Sequence, residues 1–216
     1  MKTRSYSAAQ FAIAATAMAS VVVASNYLVQ FPVSGTLGPV VLADLLTWGA
    51  FTYPAAFLVT DLTNRRFGAS AARLVVYTGF IFAVVLSVWL ATPRIAIASG
   101  TAFLSAQLLD VTVFNRLRRR SWWKAPVISS LLGSVLDTVL FFSLAFAPVF
   151  SGLLGYHDDF ATEVAPLFGA FALDVPRWIS WALGDFMVKL LVSMVLLAPY
   201  RMVMALIGTY SDPATA

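Results

Sequence analysis

Residues 125–150 run APVISSLLGSVLDTVLFFSLAFAPVF, an apolar stretch whose single charge is Asp137. A helix rising 1.5 Å per residue needs about 20 such residues to cross a hydrocarbon core about 30 Å thick. The stretch is long enough, so it is predicted to span a membrane. A carboxylate near the centre of such a span costs roughly 2.5–3.5 kcal/mol. A chain keeps one where it faces a packed interior, meets an opposite charge or binds a polar solute. Ser130, Ser134, Asp137 and Phe141 follow i, i+4, i+7, i+11 spacing and share one face, with Thr138 beside them.

Five further apolar runs surround this one, at about 8–31, 38–60, 70–91, 95–114 and 177–207. The chain is therefore predicted to be an all-α membrane protein, a six-transmembrane-helix bundle forming one integral membrane domain over 1–216. Its composition agrees: of 216 residues, 60% are hydrophobic and 11% charged, against about 25% charged in soluble domains. The first run is too long for a secretory signal and lacks a clear cleavage site. There is no cysteine, which excludes disulfides and thiolate metal sites. No metal and no cofactor is expected.

Charge is unevenly placed. Lys2, Arg4, Arg65, Arg66, Arg73, Arg116, Arg118, Arg119, Arg120, Lys124 and Arg201 fall at one set of span ends. Arg94 and Arg177 are the only basic residues at the other, where Asp158, Asp159, Glu163 and Asp174 collect. The positive-inside rule then puts both termini in the cytoplasm. The cluster at 116–124 reads as a topology determinant, so no nucleic-acid partner is expected. Trp122, Trp123, Tyr156, Trp178 and Trp181 lie near span ends, where amphipathic rings anchor at the interface.

Carboxylates recur inside the runs: Asp44, Asp110 and Asp185 besides Asp137. Gln107, Asp110 and Phe114 form one stripe, and Trp178, Trp181, Asp185 and Lys189 another; Asn26 adds an amide in the first run. Lipid satisfies none of these groups, so the stripes should converge inward. Asp137 and Lys189 both fall near the midplane, about 18 Å deep. They are placed to pair directly, as are Asp185 and Lys189 at i, i+4. Such pairs either neutralise buried charge or line a path for a solute. Carboxylates, amides and hydroxyls beside aromatic rings suit a flat polar heterocycle that stacks and donates hydrogen bonds.

Enzyme chemistry is poorly supported. No GxxxxGK[ST] phosphate loop is present, and the sole histidine, His157, is predicted in an outer loop, away from any buried serine. A transporter is expected, not an enzyme.

The residues also resemble a family. The first two runs contribute Ser25-Asn-Tyr-Leu-Val-Gln30, Thr47-Trp-Gly-Ala-Phe51 and Tyr53-Pro54. Thr60-Asp-Leu-Thr63, Arg66-Phe-Gly68, Ala72-Arg73 and Arg94-Ile-Ala96 continue the pattern. Gln107-Leu-Leu-Asp-Val111, Val113-Phe-Asn-Arg-Leu-Arg118, Trp122-Trp123, Asp137-Thr138 and Asp185 with Lys189 complete it. Together they resemble the queuosine precursor transporters, also called the vitamin uptake transporter family, from about residue 24 to 200. That resemblance implies a multi-pass protein of the bacterial inner membrane. Its architecture would be related to the substrate-binding components of energy-coupling-factor transporters. It also implies import of 7-deazaguanine precursors of queuosine (preQ0 and preQ1, in some members queuine or queuosine) for tRNA modification. It carries substrate-binding roles to Asn26, Gln107, Asp110, Asp137 and Asp185, with Trp48 and Phe114 as stacking partners. Asp61 and Arg73 are expected to form a gate or structural pair, and Asp44 departs from the pattern.

Two modes of action remain open from sequence. One is a carrier that exposes its site alternately to each side, with proton coupling through Asp137 or Asp110. The other is a capture subunit that needs partner ATPase subunits. Six spans in so short a chain, with Ala8, Ala12, Ala15 and Ala19 at close-packing spacing, also leave room for a homodimer.

Overall fold

The computed structural model describes residues 7–119, 121–154 and 157–206. Lys2, Arg4, Arg120 and Tyr156 lie outside the described residues. Helix α1 (Ala8–Leu28) opens on a capping box: the Ser7 hydroxyl accepts from the Gln10 N–H, and the Gln10 side chain accepts from the Ser7 N–H. The chain then forms a small antiparallel hairpin, β1 (Thr36–Leu37) with β2 (Val40–Val41), and a 3-10 turn over Leu42–Asp44.

Here the structure departs from expectation, because 38–60 is not one continuous span. Gly35 and Gly38 take positive φ values of 122° and 60°, a backbone available cheaply only to glycine. They fold the apolar Val40–Leu46 segment back as a loop. Helix begins only at α2 (Gly49–Thr52), breaks at Tyr53-Pro54 and resumes as α3 (Ala55–Phe67). Pro54 has no N–H to donate into the preceding turn. Gly68, at φ 94°, ends α3 and leads directly into α4 (Ala69–Leu90).

The remaining long helices lie close to the predicted apolar runs. Helix α5 (Pro93–Leu117) starts with Thr92 as N-cap and Pro93 in its first turn. Helix α6 (Lys124–Phe146) holds the opening stretch only as far as Phe146, because Ala147 is extended and Pro148–Phe150 forms a separate 3-10 turn. The last connection contains α7 (Ser151–Leu154), α8 (Asp159–Thr162) and a second hairpin, β3 (Val164–Pro166) with β4 (Asp174–Pro176). Helix α9 (Arg177–Leu206) closes the described chain. Helices α1, α4, α5, α6 and α9 are long and apolar enough to cross a membrane.

Packing explains the pattern of small and large residues. Met18 and Val22 of α1 meet Ala72, Val75, Val76 and Ala83 of α4, with Ala56 and Phe103 beside them. Large apolar side chains such as Ile81, Val88, Leu191, Met194 and Val195 point outward, at 62–70% exposure. That inversion of a soluble surface is what a lipid environment permits. Arg94 is buried at the start of α5, where its guanidinium donates to the carbonyls of Leu144 (2.8 Å) and Ala147 (2.7 Å). It caps the end of α6, where carbonyls lack helical partners.

The basic residues gather at one end of the bundle. Arg65 at the end of α3 donates to the carbonyls of Arg118 and Trp122 and to the Tyr200 hydroxyl. Arg118 donates to the Asn64 carbonyl at 2.7 Å. The opposite end carries Asp158, Asp159 and Glu163, and the Glu163–Arg177 pair at 3.0 Å.

Candidate functional site

A cavity of about 1060 Å³ enters from the acidic end and stops near the middle of the bundle. The broken second segment is what makes room for it, since Leu45, Leu46, Gly49 and Tyr53 all line the wall. The floor is ionic. Lys189 on α9 lies 2.6 Å from the Asp137 carboxylate on α6 and pairs also with Asp185, one turn earlier on its own helix. Thr138 donates to Asp185 at 3.2 Å, and the Tyr53 hydroxyl donates to Asp137 at 2.8 Å. The Lys189 ammonium also sits 5.1 Å from the centre of the Tyr53 ring. Two carboxylates thus share one cation.

The walls are of two kinds. On the α1 side, Ser25 hydrogen-bonds Thr52 at 3.0 Å, and Asn26 donates to the Val22 carbonyl at 2.9 Å. The Asn26 amide oxygen faces Ser87 of α4 at 3.4 Å. On the α6–α9 side stands an aromatic group of Phe141, Phe142, Phe146 and Trp181, with ring centres 5.0–6.2 Å apart. Phe160 extends it to the mouth, where Arg177 lies over its ring at 4.6 Å. Asp44 is exposed at the rim, so water solvates it and its presence in an apolar run has a simple cause.

The sequence-derived residues divide into two places. Asn26, Asp137, Asp185 and Lys189 line the cavity. Gln107, Asp110 and Phe114 do not; they are fully buried nearer the basic end. Phe114 packs with Ala125, Tyr200 and Met204 under the Arg65 guanidinium, 5.0 Å from its ring centre, which leaves no face free for a ligand. Trp48 is 48% exposed and packs on Phe51, turned away from the cavity. Arg73 is exposed on α4 and makes no ion pair with Asp61 among the described residues. Asp61 instead faces Ser129 and Asp110.

Periodicity missed Tyr53, Ser25 and Ser87, all brought to the cavity by tertiary packing. Only the Tyr53-Pro54 helix break hinted at the first.

Between cavity and basic end lies a closed polar layer. Thr60 donates to the Gln107 side-chain oxygen at 2.7 Å, and Asn64 donates to the Val111 carbonyl at 3.0 Å. Gly133 permits the tight contact here: a Cβ on it would come within 2.8 Å of the Phe57 ring.

A bundle of membrane-crossing helices around a half-open cavity with a charged floor defines a multi-pass membrane transport protein. The sequence pattern of a family described as "Putative vitamin uptake transporter" matches residues 47–92 and 86–203. The chain belongs to that vitamin uptake transporter family. It is 39% identical to the queuosine precursor transporter of Escherichia coli K12, over 83% of this chain and 79% of that protein. It is 35% identical, over the same shares, to a protein of Haemophilus influenzae Rd named "Probable queuosine precursor transporter". No solved structure matches the chain.

Proposed function

We propose that this chain imports 7-deazaguanine precursors of queuosine across the bacterial inner membrane, by binding them in the cavity above Asp137. The observation that supports this best is the cavity itself, with an aromatic wall opposite a carboxylate-rich floor. A flat heterocycle stacks on Phe141 or Trp181 while its ring N–H and amino groups donate to Asp185 and the Asn26 amide oxygen. Two carboxylates facing a single ammonium also leave acceptor oxygens for an aminomethyl group on the ligand. Names borne by relatives covering most of the chain point to the same substrate class.

In this arrangement the basic end faces the cytoplasm, together with both termini, following the positive-inside rule. The Gly49–Phe67 segment supplies the sixth crossing; at 1.5 Å per residue it reaches about 28 Å. The whole chain is one membrane domain, related in architecture to the binding components of energy-coupling-factor transporters. A second copy would meet the exposed Ala8 and Ala12 face of α1.

The test is queuosine content of tRNA in cells that neither make preQ0 nor carry their own importer. Fed preQ0 or preQ1, such cells should regain queuosine with the wild-type chain and fail to with Asp137→Asn at equal membrane abundance. No recovery with either precursor, despite good expression, would reject the assignment.

A further inference from the structure

We infer that the buried Asp61–Asp110 carboxyl pair is a proton-binding site that couples transport to the proton gradient, one proton per substrate. The inference rests on the import function proposed above and assigns its energy source.

The two ionic groups of the bundle differ in their partners. Asp137 and Asp185 share the Lys189 ammonium. Asp61 on α3 and Asp110 on α5 face one another at 2% and 0% exposure, and no cation pairs with either among the described residues. Ser129 of α6 approaches Asp61 at 3.5 Å. Asp110 is faced by the Ser129 hydroxyl as well as by Asp61, but no well-formed hydrogen bond reaches its oxygens, and the Gln107 amide nitrogen one turn above is likewise buried without an acceptor. Arg65, one turn along α3, acts on the pair only at a distance. Its guanidinium is engaged by the Tyr200 hydroxyl of α9 and the carbonyls of Arg118 and Trp122. On α4 the nearest basic residue in sequence, Arg73, is exposed.

Two dry carboxylates in contact do not both stay ionised, because each raises the cost of the other's charge. The closed cytoplasmic side therefore retains one proton on the pair, leaving a single negative charge opposite Arg65. Opening that side must part Arg65 from Tyr200 and the two carbonyls. Water then reaches both carboxyls, and the O–H proton leaves to cytoplasmic water. Closing again expels that water and requires a proton, which the outer cavity supplies by the route below, so that one proton crosses in each cycle.

A route from the outer cavity is laid out by helix register. Asp137 forms the floor; Ser134, with an unpartnered buried hydroxyl, lies one turn below it on α6, and Ser129 beyond that. The distance from Asp137 to Ser129 along the helix is about 12 Å. Thr60 and Gln107 occupy the same level on α3 and α5, bonded to each other at 2.7 Å. Asp137 differs from this pair in having a cation, Lys189, at 2.6 Å.

The experiment uses the purified full chain in liposomes, potassium and valinomycin clamping the potential, and radiolabelled preQ0 as probe. Counterflow exchange, with no gradient, reports binding and alternation alone. An outside-acid gradient should drive accumulation approaching tenfold per pH unit, since one unit of proton gradient is worth a factor of ten in concentration. An uncoupler should abolish it. Asp110→Asn and Asp61→Asn should each keep counterflow and lose the gradient-driven accumulation. Counterflow without any gradient response in the wild type overturns the coupling proposal and leaves import standing. So does full accumulation in either Asn variant that retains counterflow. Absence of counterflow in the wild type instead overturns the import function on which it rests.

Discussion

Lys189 is the residue on which the site's charge balance turns. It is 4% exposed and serves two carboxylates, Asp137 and Asp185, while lying over the Tyr53 ring. Removing one member of a buried pair costs more than the pair contributes, because the surviving charge stays desolvated; typical losses are about 3–5 kcal/mol. Lys189→Met should therefore lower the thermal midpoint of the purified protein markedly. Adding Asp137→Asn to it should recover part of the loss, since one uncompensated charge is then gone. Thermal unfolding in detergent, followed by tryptophan fluorescence, decides the matter. A single variant as stable as the wild type would mean the floor is hydrated and the pairing weak. The same residue illustrates what a sequence makes readable. One lysine and two aspartates inside apolar runs stand out without any structure, and helix rise alone placed Asp137 and Lys189 at similar depth. Trp48 and Phe114 were less informative, because an aromatic ring serves lipid anchoring, core packing and ligand stacking alike. Only the neighbours distinguish these, and for Phe114 they are Arg65, Tyr200 and Met204.

At the scale of elements, the broken second segment shapes the cavity, and at Gly49 it packs tightly against Val29, at the end of α1. A Cβ at Gly49 would fall 2.9 Å from the Val29 Cα and Cβ and 3.0 Å from its backbone nitrogen. Backbone does not step aside as a side-chain tip does, so Gly49→Ala must displace α2 from α1. Overpacking of this kind costs about 1–3 kcal/mol. Gly152 on α7 has open space around its would-be Cβ, and the corresponding Ala change should be neutral, or stabilising by up to about 1 kcal/mol. Matched melting curves of the two variants measure the difference; equal midpoints would show that α2 is free to move. This element is also where sequence was least legible. Val40, Val41, Leu42, Leu45 and Leu46 have the composition of a membrane span, and a hydropathy window registers composition alone. Gly38 and Pro39 carried the contrary signal as a turn, but a two-residue cue weighs little against so apolar a run. The other runs were readable because each is apolar over a full span's length, although Pro148 cuts the fifth short and Pro199 sits within the last.

At the scale of the whole molecule, the cavity opens at one end while Arg65 ties the helices together at the other. It joins α3 to α9 through Tyr200 (2.9 Å) and to the α5–α6 connection through the carbonyls of Arg118 and Trp122, with its guanidinium resting on Phe114. Hydrogen bonds to a charged group each contribute about 1.5–3 kcal/mol. Replacing Arg65 by Met keeps an apolar chain on Phe114 while deleting these bonds. Losing even one such bond's worth, roughly 2–3 kcal/mol, in the closed form alone shifts its ratio to a form open at the basic end by about 30- to 150-fold. A state previously rare then becomes detectable. The chain contains no cysteine, so a single reporter introduced at Ser134, fully buried between cavity and basic end, gives an unambiguous signal. In inside-out vesicles, Ser134→Cys should label slowly with a membrane-impermeant maleimide and much faster when Arg65→Met is added. Right-side-out vesicles should show no such gain, because Arg65 does not hold the outer end. Equal labelling from both sides would indicate general loosening of the bundle. Labelling that Arg65→Met leaves unchanged would place the fastening elsewhere, with the Arg118–Asn64 contact the next to cut.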